Sequence, residues 1–543
     1  MILPRVKKET LGQNTVHLSP CICLTAPATH RENAARLLSL FLPQCVVTED
    51  GAVSLTVWQE DVVGEEAYRL CIHDGKVELV YADYAGLRNG LAAFSMVVRV
   101  EEGLLVLTDT EIEDSPTVKF RGVMLDLARG VKPFDQMKED MVLIAKARMN
   151  VLHLHLADGS GVCFRMEALP EDCYLKNAYT KEQMQELIAF AQLLGLLIIP
   201  EYDMPAHSDT LLRVFPQFRC DTDAPEPHSR FVTCTATPEV YPLFEAIIRE
   251  LAELFPGPYL HVGGDELDFA DVPHLGALCY WNSCKKCAAF RREHGLADRQ
   301  EQYYFFMNRI YEYVKSTGRT MIMWSDQIDC TRPAGLPQDI IMEFWRVAAE
   351  GRGPHDGCSM NGQLSMGYTV INSWYPHLYG DEEEYLSSEN LRTWRNYTAP
   401  ACDDAYRGQI MGDEVCFWNY GDMGAKFAHY AHSFPSAVML VGDKLWNHDD
   451  LPYGEEYGCA LTRSVLGAGV PEEFNVFSAI GDLLPPRTEE PAYTERVTST
   501  EEGLQAVIDQ LSKNVYVGGD ARRAAVYCTC IRFTIEKKTV QGG

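Results

Sequence analysis

Between residues 118 and 418, stretches with hydrophobic residues at helical spacing alternate with short apolar runs. This order predicts helices that alternate with strands. Apolar residues at helical spacing mark helices over Phe134–Arg148, Lys181–Leu194, Pro238–Phe255 and Gln300–Ser316. Short apolar runs between and after them predict eight strands: Val118–Leu125, Val151–Leu156, Leu196–Glu201, Tyr259–Gly263, Thr320–Trp324, Ile340–Trp345, Thr369–Ser373 and Glu414–Trp418. This order favours a (β/α)₈ TIM barrel over residues 116–442. A doubly wound open sheet is less favoured, because no strand is followed by a glycine-rich phosphate loop.

The remaining residues predict an α/β protein with a small domain before the barrel and an extension after it. Residues 1–115 are expected to form a small α/β accessory domain. Its strands are predicted at Cys21–Ala26, Val53–Val57, Tyr68–Ile72 and Lys76–Tyr81, and its helices at Arg31–Leu42 and Ala85–Val98. Asp74-Gly75 is a hairpin turn signal between the last two strands. Residues 443–543 are expected to form a C-terminal extension that is partly helical, with a helix at Glu501–Leu511.

Composition and charge limit the classes of partner and the cellular environment that the sequence favours. Of the 543 residues, 46% are hydrophobic and 23% are charged, so the chain can bury large cores. The formal net charge of −29 disfavours nucleic acid and anionic membrane surfaces, because both need a basic footprint. No run approaches 18 apolar residues, so no membrane span is expected. Because no signal peptide is visible, the 18 cysteines favour mostly reduced thiols in a cytoplasmic protein.

The candidate chemistry begins where the fourth predicted barrel strand ends, in the sequence His261-Val262-Gly263-Gly264-Asp265-Glu266. Glycine lets the backbone turn and approach a ligand closely. Two adjacent carboxylates then stand at the carboxyl end of a barrel strand, which is where such barrels keep their active sites. A solvated acidic pair would explain this segment alone, but polar groups at the ends of the other strands favour a function.

Tryptophans follow three of these strands, although barrel interiors prefer branched aliphatic residues. They are Trp324, Trp345 and Trp418. Flat aromatic walls with carboxylates between them suit a sugar ring, since its C–H face stacks on aromatic rings and its hydroxyls bind carboxylates. The sequence therefore predicts a carbohydrate site at the mouth of the barrel.

Five segments carry a resemblance to glycoside hydrolase family 20, the β-N-acetylhexosaminidases. They are FRGVMLDLAR at 120–129, MNVLHLHLAD at 149–158, IIPEYDMPAH at 198–207, HVGGDE at 261–266 and MIMWSD at 321–326. The resemblance covers about residues 120–420, in the family's order. YRLCI and AGLRNGLAAF are similar to the family's accessory domain. The resemblance to this family implies a retaining enzyme that removes β-linked N-acetylhexosamine from glycans, with no cofactor and no catalytic metal.

The resemblance also implies a role for each matched residue. Glu266 is expected to be the general acid/base, with a raised pKa because it must start protonated. Asp265 is expected to accept a hydrogen bond from the substrate's acetamido N–H. Tyr379 is expected to donate to the acetamido carbonyl, with Tyr375 as its competitor for that role. The acetamido oxygen itself would attack C1 and form an oxazolinium intermediate, which is the substrate-assisted route of this family.

The other matched residues are expected to hold the sugar or support the acid. Arg121 would bind ring hydroxyls, and the three tryptophans would form the wall of the sugar pocket. Asp158 and His207 would support Glu266 through a hydrogen-bonded relay.

The sequence departs from the family pattern in two places. The family's Trp after the second strand is replaced by Gly161–Phe164 in a longer loop. After the eighth strand, Trp418-Asn419-Tyr420 lacks the usual carboxylate, for which Asp422 or Glu414 is a candidate substitute.

Two other functions remain open from the residues alone. One is a metal-dependent barrel hydrolase, in which His153 and His155 would be ligands together with His207 and His261. The other is a carbohydrate-binding barrel without turnover, which the two departures favour.

Three cysteines that follow the His261–Glu266 segment are candidate ligands of a structural zinc ion. Cys279, Cys284 and Cys287 lie close together in sequence, and Cys284-x-x-Cys287 has zinc-ligand spacing. Because only three cysteines cluster there, unliganded thiols are the favoured interpretation.

Overall fold

The computed structural model describes residues 1–60, 62, 64–221, 231–267, 280–346, 358–380, 394–397, 400–419, 425–452 and 455–466. Within these ranges the chain forms an α/β accessory domain followed by a closed parallel barrel. The predicted helix Glu501–Leu511 lies outside the described residues. Among the described residues, none of the helices combines the length and the apolar run needed to cross a bilayer.

The accessory domain is built on one mixed sheet with two helices, Arg31–Phe41 and Tyr84–Val97. Neighbouring strands along the sheet are Lys8–Leu18, Leu104–Asp114, Tyr68–His73, Lys76–Tyr81, Val53–Gln59, Cys21–Thr25 and Val46–Thr48, and Arg99–Glu101 also pairs with the second of these. The predicted hairpin is confirmed: Tyr68–His73 and Lys76–Tyr81 pair antiparallel, and Asp74 and Gly75 have positive φ at their turn.

The eight predicted barrel strands are confirmed, with ends that differ by up to a few residues. In chain order they are Phe120–Asp126, Val151–His155, Leu197–Glu201, Tyr259–His261, Thr320–Trp324, Ile341–Phe344, Thr369–Asn372 and Ile410–Phe417. All neighbours pair in parallel, and the eighth strand closes on the first, with Asp413 opposite Arg121. Every carboxyl end therefore opens at the same mouth.

Helices between and after these strands surround the barrel. The longer ones are Phe134–Lys146, Lys181–Leu193, Val240–Leu254, Lys285–His294, Arg299–Ser316, Ala425–Asn447 and Glu455–Leu466. Short helices lie at Asp209–Val214, Tyr280–Ser283, Met360–Ser365 and Tyr375–Leu378, and 3₁₀ turns lie at Glu171–Cys173, Pro216–Phe218 and Asp404–Gln409. The boundary predicted at residue 442 falls inside the helix Ala425–Asn447.

The long loop predicted after the second barrel strand is a small sheet of its own. It contains Ala157–Asp158, Gly161–Phe164 and Tyr174–Tyr179. Phe164 and Cys163 in its middle strand are fully buried, so this segment packs inward.

The barrel interior has three layers from the amino ends of the strands to the mouth. The lowest layer is apolar and consists of Phe120, Val151, Ile199, Ile322, Ile341 and Ile371. The middle layer is charged and consists of His153, Glu201, His261, Glu343 and Glu414. The top layer is aromatic and contains Trp324, Tyr379 and Trp418, with Trp345 packed against it. The charged layer lies directly beneath the candidate site.

Buried charges also join the two domains. Arg148 pairs with Asp114 at 2.6 Å, and Trp446 Nε1 donates to the same carboxylate at 3.0 Å. Nearby, Arg121 pairs with Glu66 of the accessory domain. The barrel and the accessory domain therefore share a polar interface whose charges are shielded from water.

Candidate active site

The turn after the fourth barrel strand depends on its two glycines. Gly263 and Gly264 have φ of 68° and 99°, and Glu266 has φ of 49°. A Cβ on Gly263 would lie 2.7 Å from the Cα of Asp203, closer than such atoms approach. The expected turn is confirmed, and the close approach seen here is to Asp203. The turn sets Asp265 and Glu266 at the mouth of the barrel.

His207 connects the predicted supporting and catalytic groups. Its Nδ1 lies 3.3 Å from Oδ2 of Asp158, and its Nε2 lies 3.3 Å from Oε2 of Glu266. The same Nε2 is 3.7 Å from Oδ2 of Asp265. The structure therefore brings Asp158, His207 and Glu266 together in the order that a relay requires.

Asp326 organises the other side of Glu266. Its carboxylate accepts hydrogen bonds from the Glu266 backbone N–H at 3.2 Å and from Trp345 Nε1 at 3.3 Å. It also accepts one from Arg346 at 3.0 Å, and a second nitrogen of Arg346 lies 3.6 Å from Oε1 of Glu266. Asp326 and Arg346 were among the polar residues at strand ends, but the sequence assigned neither of them a role. Asp326 ends the MIMWSD segment, and that position was the available signal.

The predicted tryptophans meet in one aromatic cluster. Trp324 and Trp418 have ring centroids 5.8 Å apart, and Trp345 stacks on Tyr379 at 6.0 Å with an interplanar angle of 10°. Tyr379 also lies 6.0 Å from Trp418. Three strand ends and the segment after the seventh strand thus build one wall.

Tyr379, rather than Tyr375, occupies the centre of this wall. Tyr379 is 8% exposed and lies between Trp345 and Trp418. Tyr375 is half-buried, packs against Trp374, and meets Tyr379 edge-on at 6.3 Å. The position of Tyr379 fits the predicted role better.

The prediction for Arg121 is wrong, because its side chain lies at the opposite end of the barrel. Arg121 is the second residue of the first strand, about 16 Å below the mouth at ~3.3 Å per residue. Its guanidinium is fully buried and donates to the carbonyls of Val118, Lys119 and Arg148 and to Glu66.

Arg129, from the same sequence segment, lies at the mouth instead. It pairs with Asp126 at 2.8 Å and with Asp158 at 2.7 Å, and its guanidinium lies 5.1 Å from the Trp418 ring centroid. The sequence signal was its position three residues past the end of the strand.

The charges around Glu266 overturn the expectation of a raised pKa. Burial raises the pKa of Glu266, but the hydrogen bond from His207 and the positive charge of Arg346 outweigh it and lower the pKa below its usual value. Burial and the neighbouring carboxylates Asp326 and Glu266 raise the pKa of Asp265 to about 7, despite His207. The pKa of His207 is raised well above its usual value because Asp158, Asp203 and Asp265 outweigh its burial.

Carboxylates surround His153 and His155, two of the histidines that suggested a catalytic metal. His153 Nδ1 lies 2.7 Å from Glu414, and its Nε2 lies 3.3 Å from Glu201. His155 pairs with Glu201 and lies 3.1 Å from Asp158. These carboxylates raise the pKa of both imidazoles despite burial, that of His155 to about 10. These residues form a buried ion network directly beneath the candidate site.

Of the two candidate substitutes for the missing carboxylate after the eighth strand, the structure describes Glu414. Glu414 is fully buried and bonded to His153 in the charged layer, so it does not face the mouth, and this prediction is wrong. Asp422 lies outside the described residues. Asn419, next to Trp418, donates its backbone N–H to Asp126 and its side chain to the carbonyl of Gly130.

Family models match nearly the whole described chain. The catalytic-domain model of "Glycosyl hydrolase family 20" matches residues 118–431, and the model of its "domain 2" matches residues 1–115. These two regions correspond to the barrel and the accessory domain.

Two relatives of this chain with curated names are β-hexosaminidases. The β-hexosaminidase of Vibrio furnissii is 27% identical over 303 residues, which cover 51% of this chain and 48% of that protein. The β-hexosaminidase subunit β of Mus musculus is 25% identical over 419 residues, which cover 73% of this chain and 72% of the mouse protein. The chain thus spans about half the length of the first relative and nearly three quarters of the second.

Solved structures show the same fold. An exo-β-N-acetylglucosaminidase of family 20 from Vibrio harveyi, in complex with N-acetylglucosamine, superposes with a TM-score of 0.72 at 19% identity, covering 86% of this chain and 76% of that one. A β-N-acetylhexosaminidase from Bacteroides fragilis gives a TM-score of 0.70 at 21% identity, covering 85% and 94%. An accessory domain followed by a closed barrel is therefore a known arrangement.

Proposed function

The chain belongs to glycosyl hydrolase family 20, and we propose that it is a retaining β-N-acetylhexosaminidase that uses the acetamido group of its substrate as nucleophile. The observation that carries this proposal is the chain of contacts from Asp158 through His207 to Glu266, beneath a wall of tryptophans. This arrangement supports a proton-transfer role for Glu266 beside a surface suited to a sugar ring.

Glu266 is the general acid in this mechanism, and later the general base. Before substrate binds, His207 and Arg346 favour the anion of Glu266, while His207 holds a proton. When a sugar enters and excludes water, the carboxylate loses solvation and its affinity for a proton rises. The proton then moves along the 3.3 Å contact from His207 Nε2 to Glu266 Oε2 and on to the leaving oxygen.

Asp265 orients the acetamido group. Its Oδ1 is buried and has no hydrogen-bond donor among the described residues, so this atom is available to an incoming N–H. As an anion, Asp265 also stabilises the positive charge that develops on the acetamido nitrogen. Tyr379 would donate to the acetamido oxygen and hold it against C1. An intramolecular nucleophile held in this way can supply an effective molarity of ~10⁵–10⁸ M.

The remaining groups at the mouth position the sugar. Trp324, Trp345 and Trp418 enclose its apolar faces, and Arg129 supplies the cation that Arg121 was expected to provide. Since Arg129 also pairs with Asp158, sugar binding and the relay share a residue. The substrate is then a glycan that ends in a β-linked N-acetylhexosamine.

Turnover of an aryl N-acetyl-β-glucosaminide tests the proposal directly. Wild type should release the phenol with retention at C1, and the folded Glu266→Gln protein should be strongly impaired once the leaving group is a sugar. Binding of N-acetylglucosamine without turnover of any aryl or natural glycoside would instead identify a carbohydrate-binding barrel. The cytoplasmic location inferred from the sequence stays a prediction.

A further inference from the structure

Four buried cysteines converge beside the active site, and their sulfur atoms form a compact group. They are Cys220, Cys234, Cys284 and Cys287, and their Sγ atoms all lie within 4.8 Å of one another. Each residue is at most 7% exposed. The sequence pointed to Cys279 as the third member, but Cys279 lies outside the described residues, and the two additional thiols come from the loop after the third barrel strand.

The spacing of the sulfurs matches a tetrahedral metal centre. Cys234 Sγ lies 3.9 Å from Cys284 Sγ and 3.6 Å from Cys287 Sγ. Four sulfurs at the Zn–S bond length of ~2.3 Å stand about 3.8 Å apart along each edge of a tetrahedron. All four cysteines are free thiols rather than members of a disulfide, unlike Cys330 and Cys358.

The backbone around the cluster favours thiolates. The N–H of Asp221 points to Cys284 Sγ at 3.2 Å, and the N–H of Cys287 lies 3.5 Å from the same sulfur. Cys284 is also the N-cap of the helix Lys285–His294, where the helix dipole favours negative charge. A cation among the sulfurs would balance the charge that four buried thiolates create.

We propose that these four cysteines form a structural zinc site that ties together the loops after the third and fourth barrel strands. Cys220 and Cys234 belong to the first loop, and Cys284 and Cys287 to the second. Four thiolates leave no open coordination position, so the metal serves structure and not hydrolysis. Soft thiolate ligands in tetrahedral geometry select zinc over magnesium or calcium.

The cluster is linked to the turn that carries His207. Next to Cys234, Thr233 donates its N–H to the carbonyl of Pro205 at 2.8 Å and its hydroxyl to Ser208 at 3.0 Å. From the second loop, Trp281 Nε1 donates to the carbonyl of Thr233 at 3.0 Å. Zinc therefore fixes a segment on which the His207 turn rests, although no zinc ligand touches the catalytic carboxylates in the described residues.

Metal analysis of the purified wild-type protein tests the site. After dialysis against a weak chelator, elemental analysis should find about one zinc per chain. Titration with a mercurial reagent should release that zinc in step with the modification of four thiols. A zinc-free protein that keeps its fold, or a cluster found as disulfides by mass spectrometry, would overturn the proposal.

Variants show whether these cysteines are the ligands. Cys284→Ser/Cys287→Ser should lower the zinc content at least tenfold, while Cys45→Ser should leave it at one. Cys45 is a suitable control because it is also a buried free thiol, at 7% exposed, but lies in the accessory domain. Undiminished zinc in the double variant would contradict the assignment.

A cobalt experiment covers the case in which the double variant does not fold. Wild type exchanged into cobalt should show the intense sulfur-to-metal charge-transfer and ligand-field bands of a tetrahedral tetrathiolate site. A spectrum of octahedral cobalt with oxygen ligands would overturn the proposal without any variant.

Discussion

Glu266 is held by groups from separate loops, and each of them affects the proton that it must carry. His207 lies on the loop after the third strand, and Arg346 follows the sixth. We expect Glu266→Gln to reduce kcat on a disaccharide glycoside by ~10²–10⁴-fold, because general acid catalysis contributes that much. An acidic aryl leaving group needs little protonation, so the loss of kcat on an aryl glycoside should be about tenfold smaller than the loss on the disaccharide. Equal losses for both substrates would count against Glu266 as the acid.

Asp265 is expected to give the enzyme a pH limb near neutrality. Its pKa is raised to about 7, chiefly by burial, so the anion forms only as the pH rises past that value. Since the mechanism needs the anion, kcat/KM of the wild type should fall as the pH drops below about 7. Asp265→Asn should have a much lower kcat/KM and should lose this limb. A pH profile in which the limb survives in Asp265→Asn would assign it to another group.

The two arginines of the FRGVMLDLAR segment allow a paired test. Arg129→Ala should raise KM or lower kcat/KM by about 10–100-fold, because a hydrogen bond to a charged group contributes ~1.5–3 kcal/mol. Arg121→Ala should instead destabilise the fold, since it removes a buried guanidinium from the domain interface. Steady-state kinetics and urea unfolding on both variants separate these effects. Selective loss of sugar affinity in Arg121→Ala would reverse the assignment.

At the scale of elements, hydrophobic periodicity predicted the barrel strands well because both faces of each strand are buried. The strands Lys8–Leu18 and Leu104–Asp114 were missed. Most of Lys8–Leu18 is exposed, so its sequence has no apolar face to detect, and it is held by pairing with Leu104–Asp114. The role of Arg121 was inferred from the resemblance of the FRGVMLDLAR segment and not from its depth in the strand, which is why the arginine near the beginning of the strand was chosen. Cys220 and Cys234 join the later cysteines only because neighbouring strands bring their loops together.

The turn after the fourth strand offers a prediction about backbone geometry. Gly263→Ala should lower both stability and kcat, because its Cβ would collide with the backbone of Asp203 and displace Asp265 and Glu266. Overpacking costs ~1–3 kcal/mol, and a 1 Å shift of a catalytic group costs about 10²-fold in rate. Gly103→Ala is the control, because Gly103 has a similar φ of 77° but open space around the Cβ position. Similar losses in both variants would mean that φ, and not the collision, limits this position.

At the scale of the whole molecule, buried charges connect layers that would otherwise be independent. The charged layer of the barrel lies between the apolar lowest layer and the aromatic top layer. Trp324 Nε1 of the aromatic layer donates to Glu201 of the charged layer at 2.7 Å. His155 continues the connection from Glu201 to Asp158 and so to the relay. The sequence showed these residues as polar strand positions, but their pairing depends on closure of the barrel, which brings distant strands face to face.

The interface between the accessory domain and the barrel should contribute strongly to the stability of the protein. Asp114 accepts hydrogen bonds from Tyr68 and Trp446 and pairs with Arg148, whose side chain is fully buried. Because removing one partner leaves an uncompensated buried charge, Asp114→Ala should lower the free energy of unfolding by ~3–5 kcal/mol. The neighbouring Glu113→Ala is the control, since Glu113 pairs with Lys8 where both side chains are more than half exposed.

That exposed pair should contribute less than about 1 kcal/mol. Urea unfolding of Asp114→Ala and Glu113→Ala, monitored by intrinsic fluorescence, measures the difference in their free energies of unfolding. The double variant Asp114→Leu/Arg148→Met should recover part of the loss, because it removes both charges and keeps apolar volume at the interface. If the double variant lost as much stability as Asp114→Leu and Arg148→Met lose together as single variants, the uncompensated charge would not be the cause. The interface would then be stabilised mainly by packing around Trp446, whose ring lies 4.8 Å from the Arg148 guanidinium.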